Sequence, residues 1–285
     1  MKHAYLILAH NNFYVFDTLL QMIDDERNDI YIHIDSKCKS FDYGKYKGFV
    51  KNSEIHFVEN YSVSWGEYSL IQAELALFSK AYKKGGYDYY HLISGTDLPI
   101  KSQDYIHNFF DMNLGYEFIT CAIPGYTRKC NIISRFDTYQ HTRNKVFCFL
   151  NHIKYKRFKH DFEVSFGSEW VSVTEPFVKC IIEHKKWIKK HFKYSHTCDE
   201  VYKQCIALNT KFRDKIYPFP NNENTVSFNM RYIDWSAGGS HPKIITMDDI
   251  NKLFETDCLF ARKFDEEVDR DVIDYVYDRV VHNNK

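Results

Sequence analysis

From Ala4 to Ile93 the chain alternates short apolar runs with segments of helical period, and that alternation restricts the folds open to it. Ala4 to Ala9 is an uninterrupted apolar run, the pattern of a strand buried on both faces. In Phe13 to Ile23, the residues Phe13, Phe16, Leu20 and Ile23 fall near helical spacing. Asp29 to Asp35 (DIYIHID) alternates with period two and predicts a strand, and Ile55 to Val58 predicts a short one. Ser69 to Tyr82 places Ile71, Leu75, Phe78 and Tyr82 on one face of an amphipathic helix, which Gly85-Gly86 then ends. Tyr87 to Ile93 predicts a central strand. Strands alternating with helices in this way require a parallel or mixed sheet covered on both faces, an α/β fold.

The second half is less regular. Tyr116 to Cys121 predicts a strand, Trp170 to Val173 a short strand, and Val226 to Trp235 a strand. Helices are predicted over Glu175 to Lys190, Asp199 to Leu208, Met247 to Phe254 and Glu266 to Val281. Arg128 to His160 is polar, basic and aromatic without a clean period. No repeat, low-complexity tract or linker divides the chain, so one domain over 1–285 is expected.

With 44% hydrophobic residues the chain can bury a sizeable core. Lys+Arg and Asp+Glu each number 38, and this zero balance argues against a general nucleic-acid binder. Eight cysteines without a CxxC spacing fit a reduced, cytoplasmic protein. The first apolar run is too short for a signal peptide or a membrane span.

In open α/β sheets, ligands bind beyond the carboxyl ends of the strands. That points to His10-Asn11, Asp35-Ser36-Lys37, Ser62 to Gly66, and Ser94 to Asp97, although strands commonly end in polar turns for reasons of geometry alone. Asp97 could hold a metal, contact a substrate, or only close a strand. No Asp-x-Asp follows a predicted strand, and there is no HExxH or compact Cys/His cluster, so no metal is expected. A GxSxG elbow and a GxxxxGK[ST] loop are both absent, which excludes those two enzyme classes. Glu200 has two readings. With Thr197 it spells a capping box, and it could equally act as a general base at a cleft edge. Arg262 and Lys263 lie among apolar residues, and a buried cation needs an anion, either Asp265, another carboxylate or a ligand phosphate. The stretches HIKYKRFKH (152–160) and HKKWIKKHFK (184–193) are either solvated helix faces or a peripheral contact with anionic membrane, anchored by Phe158, Trp187 and Phe192.

Taken in order, AYLILAHNN, IYIHIDSK, SVSWGEYSLIQAELALF, YDYYHLISGTDLPIKS, FGSEWVSVT, CDEVYKQ, DW before HPK, and LFARKFD resemble the Core-2/I-branching glycosyltransferase family, over nearly the whole chain. The resemblance implies a GT-A type fold, with a Rossmann-like nucleotide-sugar half (about 1–125) and an acceptor-binding, catalytic half (about 126–285). It implies inverting, metal-independent transfer from a UDP-sugar, with N-acetylglucosamine or xylose as the sugar, to a glycan hydroxyl. Glu200 then matches the general base, and Lys243, Arg262 and Lys263 the cations on the diphosphate. His10, Asp35, the Ser64-Trp65-Gly66 turn, Ser94 and Asp97 fall at donor positions, and Arg135, Trp170 and Trp235 at acceptor positions. Lacking the anchor, stem and paired cysteines of the animal enzymes, the chain is expected to build surface polysaccharide in the cytoplasm, on a lipid-linked acceptor at the inner membrane face. The rival readings are a metal-dependent GT-A transferase of another family and a non-catalytic sugar-binding protein.

Overall fold

The predicted apolar runs assemble into a five-stranded sheet in the computed structural model, which describes residues 1–140, 145–157, 161–218, 223–239 and 241–282. In chain order the elements are β1 (His3–Ala9), α1 (Phe13–Met22), β2 (Asn28–Ile34), β3 (Glu54–Phe57), α2 (Tyr68–Lys84), β4 (Tyr89–Ser94), β5 (Leu98–Pro99) and α3 (Gln103–Met112). There follow α4 (Pro124–Lys129), α5 (Ser134–Asp137), α6 (Lys145–His152), β6 (Val171–Thr174), α7 (Glu175–Glu183), α8 (Lys185–Phe192) and α9 (Tyr202–Leu208). The chain continues through β7 (Arg231–Ile233), α10 (Ile250–Glu255), β8 (Phe260–Arg262) and α11 (Arg270–Val281).

The main sheet runs β3-β2-β1-β4-β6, with the first four strands parallel and β6 antiparallel to β4. Successive side chains of β1 go to opposite faces. Leu6 and Leu8 pack into an apolar cluster with Phe78 of α2, Phe177 of α7 and Tyr202 of α9. Tyr5 and Ile7 pack into a second cluster with Phe16 of α1, Phe110 of α3, Phe260 of β8 and Val276 of α11. A smaller sheet, β5-β8-β7, lies on the second side. This is the mixed, doubly covered α/β sheet that the alternation predicts.

Several expectations for the second half need correction. Residues 116–121 do not form a regular strand. Glu117 bridges Ile216, Phe118 bridges Ser172 and Ala122 bridges Thr225, so this stretch pairs with three different segments and no ladder builds up. Of Val226 to Trp235, only Arg231–Ile233 is strand. The helix expected over Glu175 to Lys190 divides at His184 into α7 and α8. Within the stretch that lacked a clean period, α4, α5 and α6 are short helices. The helix expected from Asp199 begins at Tyr202, and α11 begins at Arg270, where Asp269 accepts from the Val272 N–H. Of the expected membrane anchors, Phe192 is buried, Trp187 packs against Phe162 and Phe192, and Phe158 lies outside the described residues. No disulfide joins the eight cysteines. Among the described residues, no helix is long and apolar enough to cross a membrane.

One buried ion pair fixes α9 against α2. Lys203 Nζ lies 2.6 Å from Glu74 Oε2, both side chains are 0% exposed, and the Tyr202 hydroxyl donates to the same oxygen at 2.5 Å. Removing one partner of such a pair strands the other charge. Lys203→Met should therefore cost about 3–5 kcal/mol in urea unfolding at neutral pH. The loss should shrink as pH falls, because burial already pushes the Glu74 carboxyl above its ordinary range and lone Glu74 can protonate. Adding Glu74→Gln should recover most of the loss. A cost under about 1 kcal/mol for the single variant would contradict the assignment.

Candidate active site

Strand ends and the small sheet together build one cleft of about 400 Å³. The end of β1 contributes Ala9, His10, Asn11 and Asn12, the end of β2 contributes Asp35 and Lys37, and the end of β4 contributes Ser94 and Thr96. These are the turns the strand-end rule selects, on either side of β1, where the connections diverge to β2 and β4. The Ser94–Asp97 turn is tight. The Asp97 N–H donates to the Ser94 carbonyl at 3.1 Å, and the Ser94 N–H donates to Asp97 Oδ2 at 3.0 Å. Gly95 is required there, since a Cβ would lie 2.9 Å from the Ala9 Cβ.

The small sheet delivers the cations. β5 pairs antiparallel with β8, Leu98 opposite Ala261, and the Phe264 N–H donates to the Thr96 carbonyl at 2.9 Å. Arg262 and Lys263 therefore face the cleft beside the β4 turn. The Arg262 guanidinium sits 4.3 Å above the Trp170 ring and 3.7 Å from Asp97 Oδ1. Its Nη1 is buried without a hydrogen-bond partner, which suits it to an anionic oxygen. Among the described residues Lys263 makes no ion pair. Lys37 adds a third cation, 3.4 Å from Asp35 Oδ2.

Asp97 turns out to be a buried support rather than a lining residue. It is 2% exposed, shapes its turn and faces Arg262, and burial raises its carboxyl above the ordinary range. Lys243 is not brought to the cleft either. Its ammonium lies 2.5 Å from Asp249 Oδ1, so the expected diphosphate contact is already occupied by a carboxylate. Trp235 is exposed outside the cleft lining, and Ser64 is in the turn whose N–H bonds the Ser69 hydroxyl. Trp170, assigned to the acceptor side, instead lines the cleft beneath Arg262. The one Asp-x-Asp, Asp269-Arg270-Asp271, starts α11, with Asp269 as its cap. No group of three His, Cys, Asp or Glu residues able to hold a metal occurs among the described residues.

Glu200 is not among the residues lining this cleft; its segment adjoins the cleft through Trp65, which does line it, and the Gly167 N–H donates to the Glu200 carbonyl at 3.0 Å. The predicted capping box is not formed, because the Thr197 N–H donates to the Gly66 carbonyl at 2.8 Å and α9 has no side-chain cap. A real box occurs instead at Thr246 and Asp249. The Glu200 carboxylate accepts from Arg135 Nη1 at 3.2 Å. The Trp65-Gly66 turn presses on the same segment, with the Trp65 and His196 rings 5.7 Å apart. Burial, and then the neighbouring Asp199, push the Glu200 carboxyl up to about 7, against the opposing pull of Arg135.

Glu169 and His241 line the cleft but were not selected from the sequence, while Lys37 lines it as part of the Asp35-Ser36-Lys37 turn that was. Glu169 Oε1 is buried without a hydrogen-bond partner, and burial followed by Asp199 raises its carboxyl well above the ordinary range. Its signal is positional. Because β6 runs antiparallel to β4, its beginning, not its end, lies at the ligand edge.

Compared with known families, the model described as Core-2/I-Branching enzyme matches residues 3–255. The beta-glucuronosyltransferase GlcAT14A of Arabidopsis thaliana is 21% identical over 256 residues, 83% of this chain and 55% of that protein. The xylosyltransferase oxt of Drosophila pseudoobscura pseudoobscura is 23% identical over 232 residues, 75% of this chain and 26% of that protein. The chain thus spans about half and about a quarter of these two relatives. Apo mouse xyloside xylosyltransferase 1 has a TM-score of 0.42 at 8% identity, over 90% of this chain and 96% of that one.

The clamp between Gly66 and the Glu200 segment is testable by substitution. Gly66 has φ +73°, and a Cβ there would lie 2.8 Å from His196 Nδ1. Gly48 has φ +72° with nothing within 4 Å. Gly48→Ala should cost about 1 kcal/mol of unfolding free energy, for backbone strain alone. Gly66→Ala should cost about 2–3 kcal/mol, because the His196 ring must also move. Equal losses in urea melts would show that the close approach is not a constraint.

Proposed function

The chain belongs to the Core-2/I-branching enzyme family, and from that premise we propose that it is a glycosyltransferase moving a sugar from a UDP-sugar to a glycan hydroxyl. The observation that carries the reading is Glu200, a carboxyl raised to about 7 in a segment that packs on Trp65 of the cleft, which is also lined by Lys37, Arg262 and Lys263. A base works best when its pKa lies near the working pH, and the three cations suit a diphosphate leaving group.

The reaction is a single displacement. The acceptor oxygen attacks the anomeric carbon as its proton passes to Glu200 Oε. The bond from that carbon to the phosphate oxygen breaks, and UDP departs with the electron pair. Attack from the face opposite UDP inverts the configuration. Arg262 and Lys263 stabilise charge on the diphosphate, the work a divalent cation does in other transferases, so no metal is required. Lys37 takes the place first given to Lys243. Glu169 Oε1 is available to a hydroxyl of the donor sugar, and His10 and Asp35, which line the cleft, are assigned to the nucleotide. The sugar is N-acetylglucosamine or xylose, and the acceptor a growing surface polysaccharide.

UDP release measured over a panel of UDP-sugars tests this. One donor should be turned over, and EDTA should leave its rate unchanged. Glu200→Gln should lower turnover by about 10²–10⁴-fold while UDP still binds. Lys263→Ala should weaken UDP more than uridine. Full activity in Glu200→Gln would remove the base, and an EDTA-sensitive rate would require a metal.

A further inference from the structure

We propose that the outer face of α6, with the lysines at the end of α8, is a docking surface for an anionic lipid bilayer. α6 has no buried residue. Its inner side rests on the protein through Phe147, whose ring stacks 4.4 Å from Tyr139 and lies 5.1 Å from Tyr194. Turned away from Phe147 are Val146 (63% exposed) and Phe149 (61%) of α6, and Ile153 (52%) and Tyr155 (53%) follow just past its end, extending the apolar stripe. Large apolar side chains so exposed on one short helix and the turn after it mark an interaction surface.

Charge selects the occupant. Residues 145–157 contain Lys145, Lys154, Lys156 and Arg157 and no Asp or Glu, and residues 185–193 contain five lysines and no Asp or Glu. The two segments are physically joined, since Arg157 donates to the His191 carbonyl at 3.1 Å and to the Lys190 carbonyl at 2.8 Å. Lys189, Lys190 and Lys193 are exposed beside them, while Lys156 is held by Asp137. In a chain of zero formal net charge this is a local cationic field around an apolar stripe, the pattern of an interfacial helix. A second copy of the chain fits poorly, because a twofold contact would set this cationic patch against itself.

The surface adjoins the Glu200 segment. Tyr194 lies under α6, and Arg135, which binds Glu200, accepts the His196 N–H on its carbonyl at 2.8 Å. A bilayer on α6 would present a lipid-borne acceptor to the base. That last step rests on the transferase reading, whereas the lipid contact does not.

Co-sedimentation of the full chain with vesicles tests the surface. The protein should bind phosphatidylglycerol–phosphatidylcholine vesicles, bind phosphatidylcholine alone far more weakly, and release as salt rises. Phe149→Ser with Ile153→Ser, and separately Lys189→Glu with Lys190→Glu, should each weaken binding by about tenfold or more, with UDP affinity unchanged. Absence of binding by the parent chain, or binding by both variants equal to it, overturns the proposal. So do variants that also lose UDP, which would make these residues part of the fold. Tighter binding to a short oligonucleotide than to vesicles, or a dimer that the variants dissolve, assigns the surface elsewhere and overturns it too. UDP-sugar turnover on a soluble acceptor is read in parallel, so the membrane reading and the transferase reading fail separately.

Discussion

The ammonium of Lys203 lies, without exposed surface, among the carboxyl groups of Glu74, Glu169, Asp199 and Glu200, and its direct contact is with Glu74. One buried cation cannot balance four such groups. Arg135 and Arg262 assist from the rim, each toward one side of the cluster. The remaining imbalance, on top of burial, raises the carboxyls of Glu74, Glu169 and Asp199 above their ordinary range and lifts Glu200 to about 7. The surroundings of Glu200 thus give it the raised carboxyl on which the proposed role as base rests. The same ion pair holds α9 on α2, so stability and basicity share one set of atoms.

The cleft depends on a second constraint, the direction of β6. Four parallel strands alone would present turns from β1, β2 and β4. An antiparallel β6 adds its start, which carries Glu169 and Trp170. Trp170 then supports Arg262 from one side and Asp97 faces it from another. Three segments far apart in sequence fix a single guanidinium. That arrangement leaves Arg262 Nη1, 3.7 Å from Asp97 Oδ1, without a hydrogen-bond partner, which suits it to an anionic ligand.

Much of this was legible from the residues. β1, β2, β4 and α2 follow from apolar periodicity, because each buries a face that its own sequence defines. The cleft turns at His10, Asp35 and Ser94 follow from strand ends. What was not legible depends on distant partners. Residues 116–121 have strand composition, yet their pairing is shared among three segments. The Thr197–Glu200 spacing spells a cap, but Gly66 takes the Thr197 N–H and Arg135 takes the carboxylate. Lys243 lies near the right place in sequence, and only its distance to Asp249 shows that it is occupied. Glu169 was hidden because strand direction is not written in a short apolar run.

The central claim is that the carboxyl cluster sets Glu200 as a base near neutrality, and the pH dependence of kcat/KM tests it most directly. A folded-state value of about 7 means that the active, ionised form is lost as pH falls through 7, so the rate should rise to a plateau with its inflection near there. Arg135→Gln removes a cation that favours the ionised form, and its inflection should move to higher pH. An inflection at an ordinary glutamate value near 4.5, or one that Arg135→Gln leaves in place, would contradict the account.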